Sequence, residues 1–226
     1  MKVIDRLINR NLQVSKYLSF FKKSEERKNG PLITISREKG AGGRIVAAEL
    51  AKKLGGKWDY YHRDILEKIA QETNVSLEDV KKVDEKDIPY LEGVFGSWIG
   101  QEYLSFSRYT KTLLKVLADL GNRGYVIIVG HGANFLFKDA LKVQIIADFE
   151  QRIAWLKKYE KLSEKDAKTL IKKSDKERHD FIYNLFGQDV YDPKHYDVII
   201  KTSEDLTAKD VADIIARIAK KKLHLI

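Results

Sequence analysis

The sequence predicts an α/β fold, a three-layer α/β/α sandwich around a five-stranded parallel sheet. Three observations lead there. Five short apolar runs recur along the chain, at Leu32–Ile35, Lys57–Tyr61, Tyr125–Val129, Val143–Ala147 and Tyr196–Lys201. The third and fourth of these lack the alternation of a half-exposed strand, as expected when both sheet faces are covered. Helical patterns separate the runs, which is the signature of parallel strands joined by crossover helices. Finally, glycine-rich turns follow the first and third runs, at the strand ends where sheets of this kind bind ligands.

In chain order, residues 1–30 form a leader. Apolar residues from Val3 to Phe21 recur at roughly helical spacing, with Arg6, Arg10, Lys16, Lys22 and Lys23 between them. Such a basic amphipathic helix either lies on an anionic membrane or packs on its own domain or on a second subunit. Packing, including a homodimer through this helix, is the expectation, and membrane contact is not. A charged linker ending in Gly30-Pro31 follows.

The first strand runs into Gly40-Ala41-Gly42-Gly43 and then into a helix, with Ile45, Ala48, Leu50 and Leu54 as its apolar side, stopped by Gly55-Gly56. Strand, glycine turn and helix form a phosphate cradle: glycines let the backbone approach closely, and the N–H groups at the helix start point at the anion. Compared with the P-loop pattern G-x-x-x-x-G-K-[ST], the first glycine falls on Arg37, the lysine on Gly43 and the hydroxyl on Arg44. Arg44 keeps a cation in the loop and can grip phosphate with a planar fork, but it cannot replace a magnesium-binding hydroxyl. The alternative is a glycine-rich turn with no ligand.

The second strand leads to a helix over Asp64–Glu72, and Ser76-Leu77-Glu78-Asp79 opens another as a capping box. From Asp84 to Gln101, glycines interleave with Tyr90, Phe95 and Trp98, a segment that either stacks a base or covers a core edge. A long helix is expected over Glu102–Leu120, ending at Gly121. After the third strand comes Gly130-His131-Gly132-Ala133-Asn134. Past the fourth strand, Glu150–Lys161 reads as helical, and Ser163-Glu164-Lys165-Asp166 caps a basic helix reaching Leu185. Thr207-Ala208-Lys209-Asp210 caps the last helix, which ends in Lys220-Lys221-Lys222.

The chain has 226 residues and a net charge of +9. A basic balance favours anionic partners, although most of the lysines read as a solvated surface. No specific nucleic-acid binding is expected, because no nucleic-acid module is recognisable. With no cysteine, disulfides and thiolate metal sites are excluded. No apolar run approaches the roughly 20 residues of a bilayer span, and the N-terminus shows no signal-peptide core with a cleavage site. The protein is read as cytoplasmic.

Four marks, in order, resemble the cytidylate kinase-like family, a branch of the P-loop nucleoside monophosphate kinases. They are Ile35–Arg44, against I-S-R-x-x-G-S-G-G-R; Val126–Asn134, containing IIVGHGAN, against a V-I-V-G-R-G-A-N-like turn; Asp175-Lys176-Glu177-Arg178, a D-x-x-R; and Tyr196–Ser203, YDVIIKTS, against Y-D-h-h-I-N-T-S. The resemblance runs from about Leu32 to Ala219.

It implies a P-loop NTPase-type fold for residues 31–226, transfer of the γ-phosphoryl of ATP with Mg2+, and a nucleoside monophosphate acceptor, CMP or dCMP being the family's. Ser36, Arg37, Lys39, Gly40, Ala41, Gly42, Gly43 and Arg44 would hold the donor. Residues 62–122 would form the acceptor-binding insertion and residues 157–178 the lid. Arg152 and Arg178, flanking the lid, would grip the transferring phosphate together with Arg44, and Asp64, Gly130, His131 and Gly132 would face the acceptor. His131 stands where the family usually carries arginine, which removes a permanent charge. Gly132 replaces an aspartate that contacts the acceptor in the true cytidylate kinases, so the acceptor base stays open. Ser36 or Asp64 is the substitute for the missing magnesium hydroxyl. A regulator that binds ATP without transfer, and a kinase of a non-nucleotide metabolite, are the alternatives.

Overall fold

The structure, a computed structural model, describes residues 29–84 and 106–225. The leader helix and the glycine-aromatic stretch after Asp84 lie outside the described residues. Five strands form one parallel sheet in the order β2-β3-β1-β4-β5. They are β1 (Leu32–Arg37), β2 (Asp59–Tyr61), β3 (Val126–Val129), β4 (Leu141–Ile146) and β5 (Val198–Lys201). The central strand β1 pairs Ile35 with Val129 on one side and with Val143 on the other. The chain therefore reverses its direction of progress at β1, and sheets of this kind bind ligands beyond the carboxyl ends of the strands at that point.

The helices are α1 (Gly43–Leu54), α2 (Asp64–Thr73), α3 (Leu77–Asp84), α4 (Phe106–Arg123), α5 (Ala133–Leu136), α6 (Phe149–Glu160), α7 (Glu164–Phe186) and α8 (Ala208–Lys222). Side chains of alternate residues in a strand leave on opposite faces, and both faces here are apolar. Ile33, Ile35, Ile127, Val129, Val143 and Ile145 pack on α1 and α8. Leu32, Val126 and Ile128 pack on α2 and α4. A third, small cluster of Ile153, Leu156, Ala167 and Ile171 joins α6 to α7.

Local signals explain several boundaries. Ser163 caps α7 by accepting from the Asp166 N–H, and Thr207 and Asp210 form a reciprocal capping box on α8. Gly55 at φ 94° ends α1, and Gly187 at φ 66° ends α7.

Two expectations need correction. The buried stripe of α1 is Val46, Ala47, Leu50 and Ala51, whereas Ile45 is 53% exposed. The loop sets the rotation of this helix: Ala41 is buried, and its carbonyl accepts from Thr202 Oγ1 at 3.0 Å. The long helix α4 does not stop at Gly121 but continues to Arg123. Gly121 is there because α4 lies against Phe137. A Cβ at this position would sit 2.5 Å from the Phe137 ring, which is 2% exposed and has nowhere to go.

Helix propensity alone would make Gly121→Ala stabilising by roughly 1 kcal/mol. Overpacking of a filled core costs about 1–3 kcal/mol, so the expected sign is the opposite. Gly121→Ala should lower Tm in a thermal melt, while Gly56→Ala, where a Cβ would meet nothing within 4 Å, should leave it nearly unchanged. A rise in Tm for Gly121→Ala would contradict the close packing of Phe137.

Candidate active site

The glycine turn after β1 is built as an anion cradle. Gly40 and Gly42 take φ 86° and 80°, in the left-handed region, so β1 can turn sharply into α1. Gly40 also lies on α6, where a Cβ would be 3.1 Å from Arg152 Cβ. Within the turn, the Ala41 N–H donates to the Glu38 carbonyl at 3.2 Å. The N–H groups of Gly40, Gly42, Gly43 and Arg44 have no acceptor among the described residues. Several free amides converging at a helix N-terminus can hold phosphate oxygens. Arg44 stands on the first turn of α1, exposed, with no ion-pair partner among the described residues.

Beside this loop lies a buried charge cluster contributed by β1, α6 and α7. Arg152, on α6, is 7% exposed. Its Nη1 donates to Asp175 Oδ2 at 2.5 Å and to the Lys39 carbonyl at 3.4 Å, and its Nε lies 3.7 Å from Glu38 Oε2. Asp175 also accepts from Arg178 Nη1 at 2.8 Å and from the Lys39 N–H at 3.1 Å. Arg178 further donates to Ser174 Oγ at 3.4 Å. Glu38 is tied to β4 through the Ala147 N–H at 3.0 Å. Burial pushes the Asp175 carboxyl up, but Arg152, Arg178 and the Lys39 N–H outweigh it, and the net shift is downward. Lys39 Nζ pairs with Glu160 at 3.2 Å, across to the C-terminal turn of α6.

A second cluster forms where β1, β2 and β3 end. Arg37 Nη2 donates to His62 Nε2 at 3.0 Å, and His131 Nε2 donates to the His62 carbonyl at 3.2 Å. His62 is pushed down to about 3, first by burial and then by Arg37, His131, Arg63 and Arg44, so its ring is neutral. His131, at φ 55°, stands between Gly130 at φ 85° and Gly132 at φ 71°, a run of left-handed residues that folds the turn back. The Gly130 N–H closes it onto the Ile35 carbonyl at 3.0 Å. A side chain at 132 would meet the Phe186 ring at 2.3 Å, so an aspartate would not fit beneath α7.

Between the clusters, Ser36 Oγ donates to Asn134 Oδ1 at 3.3 Å; both residues are buried, and Asn134 Nδ2 has no partner among the described residues. Asp64 Oδ2 accepts from the His62 N–H at 3.4 Å.

The sequence-named residues thus fall into two neighbouring groups. Lys39, Gly40–Arg44, Arg152 and Arg178 gather on the α1–α6–α7 side. Arg37, Gly130, His131 and Gly132 gather at the β1–β3 ends, with Asp64 at their rim. Arg37, expected among the loop residues, lies with its stem against Gly43 and turns its guanidinium toward His62 and Gly130. Asp175, expected in the D-x-x-R mark either to orient Arg178 or to follow a helical charge pattern, pairs with both Arg178 and Arg152. Glu38 and Thr202 were not singled out from sequence. Thr202, 2% exposed, holds the Ala41 carbonyl in place and belongs to the quoted YDVIIKTS stretch. Among the described residues, no group of three His, Asp or Glu side chains is placed to hold a metal ion. No helix among them is long and apolar enough to cross a membrane.

Comparisons with known proteins agree with this geometry. The sequence profile described as "Cytidylate kinase-like family" matches residues 32–204. A cytidylate kinase of Sulfolobus acidocaldarius is 27% identical over 198 residues, covering 85% of this chain and 96% of the relative. Among solved structures, an uncharacterized protein from Eubacterium ventriosum superposes with a TM-score of 0.63 at 21% identity, covering 85% of this chain and 99% of that one. Shikimate kinase from Acinetobacter baumannii, in complex with shikimate, gives a TM-score of 0.50 at 17% identity, covering 88% and 97%. These two likenesses are of fold.

The Asp175 cluster has a measurable cost. Because the folded-state pKa lies below the unfolded one, near 4, the carboxylate stabilises the fold above that pH. Its contribution fades as the pH falls through the folded value. Asp175→Ala leaves the buried Arg152 guanidinium undercompensated and should cost about 3 kcal/mol at pH 7. Calorimetric melts should show that deficit shrinking below about pH 4. A constant gap between parent and variant across the acid range would contradict the ion-pair assignment.

Proposed function

The chain belongs to the cytidylate kinase-like family, and from that premise we propose that it transfers the γ-phosphoryl group of ATP to the phosphate of a nucleoside monophosphate, CMP or dCMP being the first candidates. The observation that carries the proposal is the pairing of unsatisfied loop amides with the Arg152–Asp175–Arg178 cluster next to them. Phosphoryl transfer through a loose transition state needs positioning and charge neutralisation rather than covalent chemistry, and these are the resources gathered here.

In this reading the N–H groups of Gly40, Gly42, Gly43 and Arg44 hold the donor phosphates, with the Arg44 guanidinium at their outer edge. Ser36, Arg37, Lys39 and Ala41 complete the donor segment, in which buried Ala41 anchors the loop to Thr202 and Ser36 bonds Asn134. An acceptor phosphate oxygen attacks the γ-phosphorus as the bond to the β-bridging oxygen breaks, giving ADP and a nucleoside diphosphate. Arg152 and Arg178 neutralise charge on the phosphoryl group in flight. Arg152 is buried and Arg178 partly so, which makes their attraction for the phosphoryl oxygens stronger than in water. The turn Gly130–Gly132 and Asp64 face the acceptor. Residues 157–178, spanning the α6–α7 connection, serve as the lid that excludes water.

Mg2+, when bound, would be carried mainly by the donor phosphates and its own water, screening the charge of the triphosphate. Ser36, expected as a substitute ligand, is turned to Asn134 in the structure.

The direct test is transfer from ATP and Mg2+ to CMP, dCMP, UMP, AMP and GMP, with product diphosphates detected. A diphosphate formed from one acceptor supports the reading and names the substrate. ATP binding with no product from any of them would instead favour a regulator or a metabolite kinase. Arg178→Ala should lower kcat by roughly 10²-fold while changing ATP affinity little, because its contact with the phosphoryl group strengthens in the transition state. Arg44→Ala should weaken ATP binding by about tenfold. Parent-like turnover in both variants would overturn the site assignment.

A further inference from the structure

A P-loop places a lysine where this chain has Gly43, and the structure shows why glycine stands there. Gly43 does not have a positive φ, so conformational freedom is not the reason. Its neighbour is. A Cβ at 43 would lie 2.7 Å from Arg37 Cβ and 2.9 Å from Arg37 Cγ. The stem of Arg37 therefore fills the space into which a side chain at 43 would leave. Further along, the Arg37 guanidinium crosses Gly130, where a Cβ would lie 2.6 Å from Nη1 and 3.2 Å from Cζ. Arg37 is threaded between the glycine turn after β1 and the glycine turn after β3.

We propose that Arg37 performs the task a P-loop gives to its lysine, supplying a fixed cation to the phosphates that lie between the donor loop and the β3 turn, and that His62 is its positioning residue. The inference rests on reading the site as one for phosphoryl transfer. Arg44, the loop's other arginine, is exposed on the first turn of α1 and lies near enough to His62 to help keep its ring neutral.

His62 holds the guanidinium through a hydrogen bond at 3.0 Å. Arginine only donates, so His62 Nε2 accepts and the ring proton sits on Nδ1. That N–H is buried and has no partner among the described residues. The ring must stay neutral to accept, and the four surrounding cationic or basic groups, Arg37, His131, Arg63 and Arg44, together with burial, keep it so. The carbonyl of His62 accepts from His131, which ties the β2 end to the β3 turn that Arg37 crosses. The arginine that the family usually carries at 131 is thus replaced by a histidine that braces the support of a different arginine.

The experiment uses the full chain and two readouts: affinity for magnesium pyrophosphate by calorimetry, and kcat and KM with whichever acceptor the parent phosphorylates. Arg37→Ala should weaken pyrophosphate binding about 10- to 100-fold and lower kcat at least as much. Arg37→Lys should recover part of the binding, and thermal melts should show it folded. His62→Leu keeps bulk without an acceptor and should behave like a weak Arg37→Ala. His62→Gln keeps an acceptor oxygen and should remain within about threefold of the parent.

Parent-like pyrophosphate affinity in Arg37→Ala overturns the assignment, whatever the transfer rates. Equal behaviour of His62→Leu and His62→Gln overturns the positioning role. A parent that phosphorylates no acceptor, yet loses pyrophosphate affinity in Arg37→Ala, would leave this inference standing and remove the kinase reading.

Discussion

A guanidinium cannot be taken out of water without a counter-charge, and Arg152 is 7% exposed. That constraint organises the site. The compensation comes from Asp175 on α7 and Glu38 on the β1 loop, so one charge on α6 binds three segments together. Asp175 is shared further, with Arg178 and with the Lys39 N–H. The glycine loop, the helix pair α6–α7 and the end of β4 are therefore positioned relative to one another by electrostatics. Apolar packing between α6 and α7 amounts only to the small cluster around Ile153 and Ile171. An interface held by few apolar contacts and one strong polar node is suited to moving as a unit when that node is exchanged for another.

A second constraint is steric. Arg37 runs beneath both glycine turns, and the turns are glycine where its atoms pass. Two apparent weaknesses in the sequence have local counterparts: the missing lysine at 43 falls where the Arg37 stem fills the space, and the histidine at 131 bonds the His62 carbonyl. Charge in this site has been relocated to the end of β1, with a neutral imidazole as its support.

The sheet was legible because β1 and β3 are continuous apolar runs bounded by glycine, and because parallel order leaves few topologies once five βα units are counted. Capping residues made the starts of α7 and α8 readable: Ser163 and Thr207 accept the N–H groups that the sequence pattern assigns to them. Three features were not legible. The rotation of α1, which exposes Ile45, follows from the anchoring of Ala41 by Thr202, a contact spanning 161 positions. The continuation of α4 through Gly121 follows from Phe137, which sequence pattern cannot place beside it. The direction of Arg37 depends on His62, Gly43 and Gly130 together. In the candidate site the glycine cradle and the paired arginines follow from local pattern and family marks. That the Asp175 carboxylate holds Arg152 and the Lys39 N–H as well as Arg178 is visible only in three dimensions, because those partners come from α6 and the loop after β1.

The Asp175 carboxylate occupies the kind of position that a phosphate oxygen would take, accepting from two guanidiniums and a loop amide at once. On the proposed function this has an energetic consequence. The cations are already partly desolvated and oriented before substrate arrives, so binding exchanges one anion for another and requires little reorganisation. The carboxylate also keeps Arg152 and Arg178 apart from bulk water while the site waits, which limits the penalty of holding two like charges within reach of one group. A phosphoryl group carries more charge and more acceptor oxygens than a carboxylate. It can therefore outcompete Asp175 for Arg178 and the Lys39 N–H while Glu38 still faces Arg152. The same node that fixes the resting geometry then determines which anions can open it: those that bring enough acceptor oxygens to satisfy two arginines and a backbone amide simultaneously.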